Sequence, residues 1–118
     1  MEFNNSAGII TSPPAGSNQA QCFWRVHTSN ANASGILLTF DQFILANTLN
    51  CSTDHLTIYD GPNEQSPVIG KYCGLMTGET VISNGTSLYL KFYFSSAERL
   101  AGFQIQYETV YLGELLTF

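Results

Sequence analysis

The sequence predicts an all-β domain, an antiparallel β-sandwich of the jelly-roll type. Three observations carry the prediction: eight or more short stretches alternate apolar and polar residues, turn chemistry separates them at regular spacing, and no useful length shows the period of an amphipathic helix. A parallel α/β fold would need crossover helices that this chain does not offer. At 118 residues there is room for one domain and one core, and 44% apolar residues with 13% aromatic supply the surface to fill it.

In chain order, Gly8 to Ser12 is a β-branched run that stops at Pro13-Pro14, where the missing backbone donors end ladder pairing. From Gln21 to His27, the residues Cys22, Trp24 and Val26 share one face and Gln21, Arg25 and His27 the other. Cys22 is therefore expected to point inward and Trp24 to lie in the core. Ile36, Leu38 and Phe40 line one face of the next strand, which Phe43 to Leu45 prolong.

Cys51 and Cys73 bracket the stretch around which the rest is arranged. Between them Leu56 and Ile58 alternate with His55, Thr57 and Tyr59, Asp60-Gly61-Pro62-Asn63 is turn chemistry, and Val68-Ile69 is a second apolar patch. A Cys51–Cys73 disulfide would staple this hairpin-like unit across its open end and contribute on the order of 3 kcal/mol in the chain-entropy account. Val81-Ile82-Ser83 then meets Asn84-Gly85, a pair suited to a two-residue type I′ hairpin. Leu88, Leu90, Phe92 and Phe94 oppose Ser87, Tyr89, Lys91 and Tyr93 in the clearest strand, which is expected to be central. Phe103, Ile105 and Tyr107 give the last inward row.

Composition excludes several function classes. A net charge of -5 with four basic residues leaves no cationic surface for nucleic acid. No apolar run approaches bilayer length, so no direct membrane insertion is expected. Only 11% of residues are charged while Ser, Thr, Asn and Gln abound, which suits an extracellular protein or cell-surface ectodomain. No signal peptide is read at the start, so if the protein is secreted this is expected to be a mature fragment, with Met1-Glu2-Phe3 as an expression start. Asn4, Asn32, Asn50 and Asn84 head Asn-x-Ser/Thr triplets and are glycosylation candidates. Of three cysteines Cys22 is the odd one, expected to be unpaired within the chain or bonded outside it.

No catalytic site is expected. His27 and His55 lie far apart on the polar sides of two strands, and neither a metalloprotease helix nor a Gly-x-Ser-x-Gly elbow is present. The inward face and apolar neighbours of Cys22 would raise its pKa, against a reactive thiol. Tyr59, Tyr89 and Tyr93 are the binding candidates, set either on an exposed sheet face or under a neighbouring loop.

Gly8-Ile9-Ile10-Thr11-Ser12-Pro13, Cys22-Phe23-Trp24, Leu38-Thr39-Phe40, Cys51 to Asp54, Tyr59-Asp60-Gly61, Ser66 to Gly74 and Gly102-Phe103 through Tyr107 together resemble a CUB domain, in the family's order and near its spacing. The resemblance covers 8–110, which leaves 1–7 as a start or linker and 111–118 as a tail. It implies a two-sheet jelly roll in an extracellular recognition module, such as those of tolloid-type proteases, neuropilins and spermadhesins. Its second disulfide matches Cys51 to Cys73. The cysteine that the family bonds to the position of Cys22 is absent here.

The resemblance also implies a calcium site, and here the chain departs from it. Of three carboxylate positions only Asp54 remains; the others read Ala46 and Ser96. Calcium needs several hard oxygen ligands, so no metal or cofactor is expected, with Asp54 and a substituting Asp60 as the remaining donors. The sequence thus points to a non-catalytic module that binds another extracellular protein or glycoprotein. The alternatives are a carbohydrate-binding single domain of the spermadhesin kind and a substrate-positioning module of a multidomain protease.

Overall fold

A strand that alternates apolar and polar side chains has one face to bury, and two such sheets bury theirs against each other. The computed structural model describes residues 2–3, 7–13, 21–29, 33–94 and 102–111. Within them the strands are β1 (Glu2–Phe3), β2 (Ala7–Thr11), β3 (Gln21–His27), β4 (Ala33–Ile44), β5 (His55–Tyr59), β6 (Val68–Tyr72), β7 (Thr80–Ile82), β8 (Ser87–Tyr93) and β9 (Gly102–Tyr111). One sheet runs β1-β3-β8-β5-β6 and the other β2-β9-β4-β7. Pairing is antiparallel throughout the two ladders except between β1 and β3. The expected jelly-roll-type sandwich is what forms, and β8 is the middle strand of its five.

The inward rows read from the sequence meet in one core. Trp24, Val26, Leu56, Ile58, Leu88, Leu90 and Phe92 from the five-stranded sheet pack on Ile10, Ile36, Leu38, Phe40, Ile105 and Tyr107 from the other, and all are buried. Phe103 joins the layers, with its ring centroid 5.8 Å from Trp24, 5.7 Å from Phe43 and 5.0 Å from Phe92. Ring pairs of this kind contribute about 0.5–1.5 kcal/mol each beyond the area they bury. Cys22 is partly buried against the same cluster, on the inner face of β3.

The Cys51–Cys73 disulfide is present, with Cα atoms 5.6 Å apart. It closes the open end of the β5–β6 hairpin, in which Leu56 faces Tyr72 and Thr57 faces Lys71. Val68, expected in an apolar patch, lies on the solvent side at this edge, while its neighbour Ile69 packs on the core.

Two expectations are corrected. Asn84-Gly85 closes no hairpin, because β7 pairs with β4 in one sheet while β8 pairs with β3 and β5 in the other. The turn instead carries the chain between layers, and neither residue takes the positive φ of a type I′ turn. Ser83 Oγ donates to the Gly85 carbonyl at 2.6 Å and accepts from Ile36 N at 2.8 Å, which fixes the crossing to β4. Glu2 and Phe3, expected to precede the domain, add a short strand to β3, and Phe3 packs on the core. Of the tail 111–118, Tyr111 ends β9, and the rest lies outside the described residues.

Candidate functional site

Strand register decides which polar-side residues meet. Across the outer face of the five-stranded sheet, one row reads Gln21, Tyr93, His55; the next Phe23, Lys91, Thr57, Lys71; the third Arg25, Tyr89, Tyr59, Val68; the last His27, Ser87. Every described Lys, Arg and His of the chain therefore stands on this one face. The outer face of the other sheet presents Ile9, Gln104, Gln106, Glu108, Thr39 and Thr80.

The aromatic rings on the first face form two groups. Tyr89 is only 9% exposed; Phe23, 54% exposed, stacks on it diagonally across the β3–β8 ladder at 6.0 Å and 27°, and Tyr59 leans on its other side at 5.8 Å. Diagonal cross-strand neighbours lie within reach of rings of this size. Burial raises the Tyr89 pKa, with the Glu64 carboxylate adding to the effect. Tyr93 stacks on His55 at 5.3 Å. Burial, then the Lys71 ammonium, pushes the His55 pKa down, partly opposed by its hydrogen bond to the Thr53 carbonyl.

Loop 60–66 folds over this face and is pinned by two of its cations. Arg25 Nε donates to the Pro62 carbonyl at 2.8 Å, and Lys91 Nζ pairs with Glu64 Oε1 at 3.1 Å. A guanidine NH of Arg25 also pairs with Glu2 Oε1 at 3.1 Å. Asn63 Oδ1 accepts from Gln65 N at 3.0 Å, which rigidifies the loop tip. The result is an open cleft of about 440 Å³ with Phe23 and Tyr89 as floor and Asn63, Glu64 and Gln65 as one wall.

Of the three tyrosines named as binding candidates, Tyr59 and Tyr93 are half-buried on this face and Tyr89 is buried beside Phe23. The most exposed ring on this face is that of Phe23, which sequence reasoning did not single out. Its signal was available: an apolar ring falls on the side of β3 that otherwise carries Gln21, Arg25 and His27.

Two of the three calcium positions lie among the described residues. Asp54 is buried at the start of β5 and Ala46 offers no side-chain oxygen; the Ser96 position lies outside the described residues. Asp60 stands at the opposite end of β5, roughly 20 Å along the strand at ~3.3 Å per residue, so it cannot join Asp54 around one ion. Its carboxylate instead accepts from Asn84 N at 3.1 Å and Asn84 Nδ2 at 2.9 Å. Among the described residues no group of three His, Cys, Asp or Glu is placed to hold a metal ion. Of the carboxylates that the resemblance implies, Asp54 is the one found among the described residues.

His27 bonds Ser87 Oγ at 2.9 Å and is half-buried. Of the glycosylation candidates, Asn50 and Asn84 are exposed, while Asn4 and Asn32 lie outside the described residues.

A sequence profile of the CUB domain family matches residues 1–107. Human Tolloid-like protein 2 is 31% identical over 98 residues, which cover 83% of this chain and 10% of that protein. Human Neuropilin-2 is 34% identical over 116 residues, covering 93% of this chain and 12% of that protein. Among solved structures, the full extracellular region of zebrafish Gpr126/Adgrg6 superposes with a TM-score of 0.77 at 25% identity, over 95% of this chain and 15% of that one. The chain thus spans about a tenth to a fifth of the length of the curated relatives it matches. It belongs to the CUB domain family.

Proposed function

We propose that this module is an extracellular recognition domain, without catalysis of its own, that binds a partner protein or glycoprotein through the outer face of its five-stranded sheet. The observation that supports this surface is the gathering of Phe23, Tyr89, Tyr59 and Arg25 in adjoining rows, with an exposed ring at their centre. Aromatic and Arg side chains are the groups that most often dominate contact energies, and the Gln- and Thr-rich face of the other sheet lacks them. An extracellular setting fits the disulfide and the likeness to an extracellular region. No described helix is long and apolar enough to cross a membrane.

Binding through the Phe23 and Arg25 rows is expected not to depend on calcium, since they carry their own ion pairs and lie toward the Tyr59 end of β5, away from Asp54. The test is photocrosslinking with a benzophenone side chain at Gln21, on the proposed face, or at Gln106 on the opposite sheet. Crosslinks to one extracellular partner from position 21, persisting in chelator, are the expected result. Equal crosslinking from position 106, or loss of the product on chelation, would overturn the assignment of the surface.

A further inference from the structure

We infer that Asn84-Gly85 is a site of spontaneous deamidation, and that the product releases loop 60–66 from the crossing between the two sheets. An Asn-Gly pair occurs once in the chain. Both residues are exposed, and the Gly85 N–H has no acceptor among the described residues. Glycine has no side chain to hinder attack by its own nitrogen. The space where a Cβ would stand on Gly85 is open, with nothing within 4 Å, so no neighbour crowds the peptide here.

The reaction needs only water and a weak base. Gly85 N loses its proton to solvent and attacks Asn84 Cγ; the new N–Cγ bond closes a succinimide ring. The Cγ–Nδ2 bond breaks, and Nδ2 takes up a proton and leaves as ammonia. Water then opens the ring at either carbonyl. Cleavage beside Cγ gives Asp, and cleavage beside the main-chain carbonyl gives isoAsp, in which the chain runs on through Cγ.

Asp60, which follows β5, decides what the reaction does to the fold. Its carboxylate accepts from Asn84 N at 3.1 Å and from Asn84 Nδ2 at 2.9 Å, so it clasps the base of loop 60–66 to the crossing between β7 and β8. Nδ2 is the atom that leaves. An oxygen takes its place, and a charge-assisted hydrogen bond becomes a contact between two acceptors of like charge. IsoAsp also adds a methylene to the main chain and shifts Gly85 against Ser83, whose hydroxyl holds the Gly85 carbonyl at 2.6 Å. The loop keeps its bonds to Arg25 and Lys91 but loses this anchor. Because 63–65 wall the Phe23 cleft, the shape of that cleft would change with the age of the protein. The clasp also sets the pace, since Asn84 must leave Asp60 before its side chain can turn to Gly85 N. None of this depends on what the face binds.

The test uses the full chain made in bacteria, so that no glycan occupies Asn84, held in mildly alkaline buffer and sampled over weeks by peptide mass spectrometry with isoAsp labelling. Asp and isoAsp are expected to accumulate at 84 and not at Asn63, which is as exposed but precedes Glu64. Gly85→Ala, which the open space accommodates, should slow the reaction to the level of Asn63. Asp60→Ala should speed it by up to about tenfold, the factor that about 1.4 kcal/mol of lost hydrogen bonding corresponds to. Hydrogen exchange reads the structural half: Asn84→Asp should raise exchange in 60–66, and adding Asp60→Asn, which restores one amide facing one carboxylate, should reverse the rise. Modification at 84 no faster than at 63, no acceleration in Asp60→Ala, or unchanged exchange in Asn84→Asp would each overturn the inference.

Discussion

The residue that exposes the limits of pattern reading is Tyr107. Alternation along β9 places it in the core, and it is buried there, its ring 5.5 Å from Phe3 and lying over Gly8, where an added Cβ would stand 2.6 Å from it. Its hydroxyl is buried without a hydrogen-bond partner among the described residues, and burial raises its pKa. An unsatisfied buried polar group costs about 1–3 kcal/mol. Tyr107→Phe keeps the ring and removes the orphan, so it should leave stability unchanged or raise it by up to ~1 kcal/mol. Urea unfolding checks this, and a loss above about 1 kcal/mol would mean that the hydroxyl is bonded in solution. Nothing in the sequence could show the orphan, because a hydroxyl's partners are set by approach in space. Phe23 is the converse case: its place on the polar side of β3 was readable, but its support by Tyr89 needed the β3–β8 register.

At the level of elements, local chemistry was legible where one strand or one hairpin decides the outcome. The inward rows of β3, β5, β8 and β9, the stop of β2 at Pro13 and the stapled β5–β6 hairpin all follow from neighbours in sequence. Asn84-Gly85 misled because the same dipeptide that suits a hairpin also suits a crossing between sheets, and only the partners of β7 and β8 distinguish the two. The staple itself has two opposing contributions. Closing the loop between Cys51 and Cys73 favours folding by about 3 kcal/mol, while Asn50 and Cys51 hold φ values of 57° and 51° in the left-handed region. Replacing both cysteines, Cys51→Ser with Cys73→Ser, should therefore lower stability by about 2–3 kcal/mol, with amide exchange rising first in β5 and β6. A loss under about 1 kcal/mol in denaturant unfolding would show that hairpin packing alone fixes this unit.

On the scale of the whole molecule, charge is distributed unevenly in a way no local pattern announces. The chain carries a net charge of -5, yet its described cations and both histidines share one sheet face. His55 meets Tyr93 from β8, Lys71 from β6 and Asp54 beside it, with Lys91 one row along. Burial and Lys71 both disfavour the imidazolium, so its folded pKa lies below the ordinary value of 6.5. A base with a depressed folded pKa binds fewer protons folded than unfolded as pH falls through the unfolded value. Stability is accordingly present above about pH 6.5 and is lost progressively as pH drops from there toward the folded pKa. The melting temperature should thus fall between about pH 7.5 and about pH 5.5, before carboxylate protonation dominates. His55→Phe retains a ring against Tyr93 and cannot titrate, so the fall should shrink in that variant. An unchanged slope would assign the acid sensitivity to groups other than His55.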